Sequence, residues 1–280
     1  MKNIAFIDLE ISAKGKVLDL GALLSDGSVF HSARIPDFIN FIDGCEYLCG
    51  HNIVEHDLKY LATFLQKKFK VIDTLYLSPL LFPEKPYHRL LKDDKIESDE
   101  LNNPLSDAQK AKKLYEDETA AFNSLPAARQ RLYYDLTGSD PHFSDFFKSI
   151  DYSVPWRLPL LRRPLSQDLK SSLGPLVCQN ADIENFIRDN RVECAYAAAL
   201  ILTGDRNSIT PAWVLKNYPD VERIIYRLRG TSCHSPECPY CSEALNPRAA
   251  LKKWFGYDAF RTFDGVFVIA NILNYTLEFS

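Results

Sequence analysis

Two carboxylates, Asp8 and Glu10, stand two positions apart in an otherwise apolar stretch near the start of the chain. Residues 3–11 have the composition of a buried strand, and alternate side chains of a strand point to the same face. Two carboxylates on one face of an apolar strand are costly to desolvate unless a cation lies between them. The pair therefore predicts a site for a divalent metal ion. A solvent-exposed strand end, where acidic residues cost little, is the alternative interpretation.

Two further acidic residues each open a predicted helix. Asp57 closes the segment 50–57, which leaves a predicted strand and enters a helix. Asp107 begins a predicted helix over 107–121, for which Ser106 is a suitable N-cap. An acidic residue in the first turn also complements the helix dipole, so each position has a plain structural interpretation as well. These two residues become metal ligands only if the fold brings them to the first strand.

The elements that must position these carboxylates are predicted from hydrophobic periodicity and turn residues. Strands are predicted over 3–11, 16–24, 28–31, 45–50 and 71–74, and helices over 36–43, 55–67 and 107–121. The dipeptide Asp26-Gly27 predicts a hairpin turn between the second and third strands. We therefore expect residues 1–122 to form an α/β domain whose mixed sheet is flanked by helices.

The remainder of the chain divides into two further segments. Residues 123–229 are predicted to be mainly helical, with the clearest long amphipathic helix over 181–203. Residues 230–280 begin with a cysteine cluster. Between the first domain's strands and its last helix, prolines at positions 79, 83 and 86 predict a break in regular structure, and residues 92–104 predict an exposed loop.

Composition narrows the class of protein. The chain has 280 residues, of which 46% are hydrophobic and 25% charged, as in ordinary soluble proteins. The formal net charge of -4 argues against a surface that coats DNA by charge alone, although bound divalent ions would add positive charge. Nothing approaches the roughly 18 apolar residues of a membrane span. Seven cysteines, an odd number, are typical of a reducing compartment, so we expect a cytoplasmic protein with no membrane partner.

The order of these motifs resembles the DEDD exonucleases, which are proofreading-type enzymes with a ribonuclease H-like fold. The resemblance covers residues 1–122 and rests on Asp8 and Glu10 in a strand, on Gly-His-Asn leading to Asp57, and on Asp107 before a helix rich in Ala, Lys and Leu. It implies a 3′-to-5′ exonuclease that hydrolyses DNA phosphodiester bonds with two Mg²⁺ or Mn²⁺ ions. Asp8 would bridge both ions. Glu10 and Asp107 would hold the ion that activates the attacking water, and Asp57 would serve the other ion.

The resemblance also implies a histidine base five positions before the last aspartate, where this chain has Asn102. The best replacement is His88, which a proline-rich approach could carry over the site. His88 and Asp93 have the literal family spacing, so Asp93 is an alternative to Asp107 as the metal ligand. We prefer Asp107 because it opens a helix that the core can anchor, whereas Asp93 lies in a charged loop. The histidines of the second motif are expected to be structural.

A second constellation of potential ligands is rich in sulfur. Four candidates lie within nine residues: Cys233, His234, Cys238 and Cys241. Cys-x₂-Cys is the usual knuckle spacing for zinc, so we predict one structural Zn²⁺ that fastens a segment with little core of its own. Adjacent residues make awkward joint ligands, and a fourth ligand could instead come from Cys178 or Cys194. A reduced, metal-free cluster is the alternative.

The segment 251–261, with its Phe-Gly-Tyr, resembles the entry into RecQ-type helicase cores. The whole order of motifs is similar to the N-terminal region of bacterial exonuclease–helicase fusions. The expected partners are therefore the 3′ end of DNA and, as a further candidate, a helicase. No Gly-x₄-Gly-Lys-Ser/Thr phosphate loop occurs, and we expect no ATP hydrolysis. The competing hypotheses are an inactive nuclease-like module that binds nucleic acid or a helicase, which Asn102 favours, and a zinc-stapled interaction protein.

Overall fold

Five strands form one mixed sheet in this computed structural model, which describes residues 2–88, 90, 103–154, 163–204, 209–233, 235 and 237–244. The strands are β1 (Ile4–Ile11), β2 (Val17–Leu24), β3 (Val29–Ser32), β4 (Tyr47–Gly50) and β5 (Lys70–Asp73). Their order is β3-β2-β1-β4-β5. β2 is antiparallel to β1 and β3, whereas β1, β4 and β5 are parallel. The predicted α/β class and mixed sheet are confirmed.

The two faces of the sheet belong to different apolar clusters, as the alternation along β1 shows. Phe6 joins the cluster on one face, and Ile7 and Leu9 join the cluster on the other. Because side chains alternate, Asp8 and Glu10 project to the same face as Phe6. The hairpin between β2 and β3 turns at the predicted Asp26-Gly27, where Gly27 has a φ of 94° that favours glycine.

Helices α1 (Ile35–Ile42) and α2 (Asp57–Leu61) cover the face that carries Ile7. The prediction of a longer helix over 55–67 was wrong, because α2 ends at Leu61. Leu61 is fully buried, but Phe64 is 46% exposed, so the apolar spacing beyond Leu61 does not continue one buried helical face.

The opposite face packs against α3 (Thr74–Leu81) and α4 (Pro104–Ser124). The predicted break at Pro79 was wrong, because this proline lies inside α3, which is buried from Thr74 to Leu80 and so is held by packing. α4 begins earlier than predicted, and Ser106 is not its cap. The side chain of Asn103 instead accepts hydrogen bonds from the next two available amides, and Pro104 suits the first helical position.

The predicted mainly helical region forms seven helices and a short 3-10 turn (Gly174–Leu176) in its described part. The helices are α5 (Ala127–Thr137), α6 (Pro141–Ser149), α7 (Leu165–Leu173), α8 (Glu184–Asp189), α9 (Arg191–Leu202), α10 (Ala212–Asn217) and α11 (Asp220–Gly230), and α12 (Pro239–Ala244) follows in the cysteine-rich segment. The single amphipathic helix predicted over 181–203 was wrong. Asn190, with φ -139° and ψ 60°, separates α8 from α9, and α9 is buried on all sides from Cys194 to Ile201.

One apolar core extends from the Phe6 face of the sheet into the helical region. The Phe6 ring lies 5.7 Å from Tyr115 of α4, and the Tyr196 hydroxyl of α9 donates a hydrogen bond of 2.8 Å to the carbonyl of Tyr76 in α3. The predicted segment boundary between residues 122 and 123 falls just before the end of α4. Within the described residues, none of the helices combines the length and the apolar character of a membrane span.

Candidate metal centres

Three of the predicted carboxylate ligands converge on the face of the sheet that packs against α4. Asp8 and Glu10 of β1 and Asp107 of α4 each present an oxygen, and these oxygens all lie within 4.8 Å of one another. All three side chains are partly exposed. Carboxylate oxygens at this separation suit a hard divalent cation such as Mg²⁺ or Mn²⁺. The arrangement is therefore a candidate acidic metal site, called here the acidic cluster.

A glycine lets α4 reach the acidic cluster. Gly21 of β2 pairs with Asp8 across the β1–β2 ladder. A Cβ atom at Gly21 would lie only 2.2 Å from the amide nitrogen of Leu105 and 2.3 Å from the carbonyl carbon of Pro104. The first turn of α4 thus rests directly on the backbone of β2, which carries Asp107 to a position beside Asp8. Sequence analysis missed this role, because a single glycine within a strand has no distinctive pattern.

A lysine lies beside the acidic cluster. Lys110, one turn after Asp107 on α4, places its Nζ 3.2 Å from Oδ1 of that aspartate. Both side chains are largely covered, at 28% and 20% exposure. The sequence showed Lys110 only as one of several lysines in a helical stretch, so nothing in its spacing distinguished it.

Asp57, the fourth predicted ligand, lies next to the acidic cluster but outside it. Its side chain is 1% exposed, and its Oδ1 accepts a hydrogen bond of 2.8 Å from the amide of Leu9, which stands between Asp8 and Glu10. Burial raises the pKa of Asp57, and the nearby His56, 3.6 Å away, opposes that rise. Asp57 therefore fastens α2 to β1, and its role as a ligand of a second ion stays a prediction.

The loop that delivers Asp57 is shaped by Asp73, to which sequence analysis gave no role. Asp73 caps α3 through the amide of Leu75, and it also accepts hydrogen bonds from the amides of Asn52 (2.8 Å) and Val54 (3.1 Å). Asn52 has a φ of 64°, a conformation that asparagine tolerates better than most residues. Burial raises the pKa of Asp73 to about 6. The sequence Asp73-Thr74 indicates a helix cap, but nothing in it indicates that Asp73 also binds the amides of Asn52 and Val54.

Two histidines lie in this part of the fold, His88 buried and His51 half-buried. His88, the predicted base, is 6% exposed, and its Nδ1 lies 2.8 Å from the hydroxyl of Ser78. His51 lies 2.9 Å from the hydroxyl of Thr74 in the same manner. Burial lowers the pKa of each imidazole to about 4, so both are neutral at pH 7. The charge of Asp107 opposes this shift at His51, whereas the positive charge of Lys85 adds to the lowering of the pKa at His88.

The alternative ligand Asp93, the departure at Asn102 and the zinc candidate His234 all lie outside the described residues. So does the helicase-like segment 251–261.

Four cysteines form the second candidate metal centre. The sulfurs of Cys178, Cys233, Cys238 and Cys241 all lie within 4.8 Å of one another. The backbone amide of Ser235 lowers the pKa of Cys233 to about 6, which favours the thiolate form that binds metals. Four thiolates are a common ligand set for structural zinc, so this cluster could bind Zn²⁺.

Cys178 is the fourth ligand candidate that the structure brings to this cysteine cluster. It follows the 3-10 turn after α7, and it packs with Cys238, Tyr240 and Cys241 in a small separate core. The other sequence alternative, Cys194, lies in α9 within the main apolar core. A metal at this cluster would therefore join the helical region to the segment that contains α12.

Comparisons of this chain with protein-family models, curated proteins and solved structures found no match.

Proposed function

We propose that this protein is a metal-dependent 3′-to-5′ exonuclease that hydrolyses phosphodiester bonds of DNA. The observation that carries the proposal is the convergence of Asp8, Glu10 and Asp107, which are distant in sequence, into one acidic cluster. The substrate and the polarity come from the resemblance to DEDD exonucleases. A cluster of acidic side chains alone would support only metal binding, so the motif order contributes the nuclease part of the proposal.

The architecture of the sheet supports a ribonuclease H-like fold as part of this proposal. In the order β3-β2-β1-β4-β5, β2 alone runs antiparallel to the other four strands, and helices cover both faces. The carboxylates occupy the central strand β1 and the first turn of α4. This arrangement is compatible with the fold that the resemblance implies.

Each residue of the site would have a distinct task. Bound divalent ions would activate water and offset charge on the phosphate, as in two-metal nucleases. The ions would be held by Asp8, Glu10 and Asp107. Asp57, which is hydrogen-bonded to the amide of Leu9, would serve the second ion. The attacking water also needs a proton acceptor, for which a neutral imidazole is suitable. We propose His88 as this base, and His51 is the second candidate because its pKa responds to Asp107.

The experiment that tests the function compares wild type with matched variants on single-stranded DNA labelled at its 5′ end. With Mg²⁺ or Mn²⁺, wild type should shorten the DNA from its 3′ end, and Asp107→Asn should lose this activity. Asp117→Asn is the control, since Asp117 lies on the same helix and pairs at the surface with Lys113. Absence of metal-dependent shortening by wild type would refute the proposal.

The base is tested separately. His88→Ala and His51→Ala should differ, and the variant that loses most activity at neutral pH identifies the acceptor. Normal cleavage by His88→Ala would exclude the histidine that we propose.

The second candidate function is an inactive nuclease-like module that binds nucleic acid or a helicase. Asn102 at the position of the family's histidine favours it. Binding of Mn²⁺ and of DNA without cleavage would support this module over the enzyme. In either case the cysteine cluster is proposed to hold one structural Zn²⁺ that fixes the α12 segment.

A further inference from the structure

Lys110 shares Asp107 with the acidic cluster. Its Nζ lies 3.2 Å from Oδ1 of Asp107, while an oxygen of the same carboxylate lies within 4.8 Å of ligand atoms on Asp8 and Glu10. An ammonium group and a divalent ion attract the same carboxylate, so a bound metal ion weakens the hold of Asp107 on Lys110.

A second ion pair on α4 is more exposed than the pair between Lys110 and Asp107. Lys113 pairs with Asp117 at 2.7 Å, but the two side chains are 70% and 49% exposed. Such a surface pair contributes little to stability. The Lys110 pair is less exposed, and it adjoins the acidic cluster, at which a phosphodiester would have to bind if the proposed function is correct.

We propose that Lys110 contacts the phosphate of the substrate. Before metal binds, the ammonium partly neutralises Asp107 and so limits repulsion among the three carboxylates. With a metal ion on that carboxylate, the flexible side chain with its three donors would turn toward a non-bridging phosphate oxygen close to the scissile bond. This inference rests on the proposed function, and it adds a substrate contact that the carboxylates cannot provide.

The test uses Lys110→Met, Lys110→Arg and the surface control Lys113→Met in the full chain. Two quantities are measured: the affinity for Mn²⁺ without DNA, by calorimetry, and kcat/KM on a single-stranded oligonucleotide. In Lys110→Met the Mn²⁺ affinity should rise by about threefold, because a competing cation is gone. The kcat/KM should fall by about 10- to 100-fold, since a charged contact to the reacting phosphate is lost. Lys110→Arg should recover much of the activity, and Lys113→Met should match wild type.

The opposite signs of the two effects distinguish a phosphate contact from a structural role. A lysine that merely holds α4 in place would, when replaced, lower metal affinity and cleavage together, and that result would overturn the inference. Cleavage by Lys110→Met at the wild-type rate would also overturn it while leaving the proposed function intact. A wild-type protein that binds Mn²⁺ but does not cleave would overturn both.

Discussion

Replacement of Gly21 by alanine should disable the acidic cluster without touching any of its ligands. The new methyl group would lie 2.2 Å from the Leu105 nitrogen, whereas ordinary contacts begin near 3.4 Å. The first turn of α4 must therefore move by about 1.2 Å away from β2. The three nearest obstructing atoms, the Leu105 nitrogen and the carbonyl carbon and oxygen of Pro104, all belong to the backbone, so no side-chain rotation can relieve the clash.

Such a displacement is large compared with the tolerance of a metal site. Metal–oxygen distances for Mg²⁺ are about 2.1 Å and vary little, so a shift of about 1.2 Å removes Asp107 from direct coordination. Loss of a residue that positions a metal ligand typically weakens metal binding by about 10- to 100-fold, and we expect at least that loss for Mn²⁺ here. The overpacking itself should lower the free energy of unfolding by about 1–3 kcal/mol, which leaves the protein folded if its stability is ordinary.

Calorimetric titration with Mn²⁺ measures the affinity, and circular dichroism with urea unfolding measures the fold and its stability. Gly44→Ala is the matched control, because a Cβ atom at Gly44 meets no atom within 4 Å. It should bind Mn²⁺ as wild type does. If Gly21→Ala retains wild-type affinity for Mn²⁺ while folded, then the contact between α4 and β2 does not position Asp107 for metal binding.

Three further predictions concern other parts of the fold. Metal analysis of the purified protein should find one zinc ion, which Cys178→Ser should lose and Cys194→Ser should keep. Loss of the zinc ion should increase proteolysis within 233–244. Asp73→Ala removes three hydrogen bonds to backbone amides and should lower the free energy of unfolding in urea by about 3 kcal/mol. Glu118 is fully buried, and burial raises the pKa of its carboxyl well above the ordinary 4.5. As pH rises above 4.5, the Glu118 carboxyl loses its proton in the unfolded chain while the folded protein still keeps it. The free energy of unfolding of wild type should therefore fall by up to about 1.4 kcal/mol per pH unit because of this group. Glu118→Gln should not show this loss. A parallel pH dependence in both proteins would contradict the last prediction.

The strands of the sheet could be predicted because each has a local signature. β1 is a run of apolar residues interrupted by carboxylates at period two, and Asp26-Gly27 marks the following hairpin. The helices were predicted less well where local sequence does not indicate whether a helix continues or ends. Pro79 is tolerated inside α3 because that helix is buried, and no glycine or proline marks the break at Asn190 between α8 and α9.

The two candidate metal centres show why sites were partly predictable. In each, residues close in sequence are joined by one remote residue: Asp8 and Glu10 by Asp107, and Cys233 with the Cys-x₂-Cys pair by Cys178. The local pairs follow from spacing, because a period of two or a tight turn fixes the relative position of the side chains. The remote residue depends on packing, which spacing does not encode.

The same distinction locates the weak point of each centre. A local pair is stable wherever its strand or turn forms, but the remote ligand is only as well placed as the contact that holds its element. For Asp107 that contact is the bare backbone of β2 at Gly21, and for Cys178 it is the small core shared with Tyr240. Substitutions at these contacts should therefore weaken metal binding even though the ligands are intact. Exposed positions such as Lys113 should have no such effect, although Lys113 lies on the same helix as Asp107.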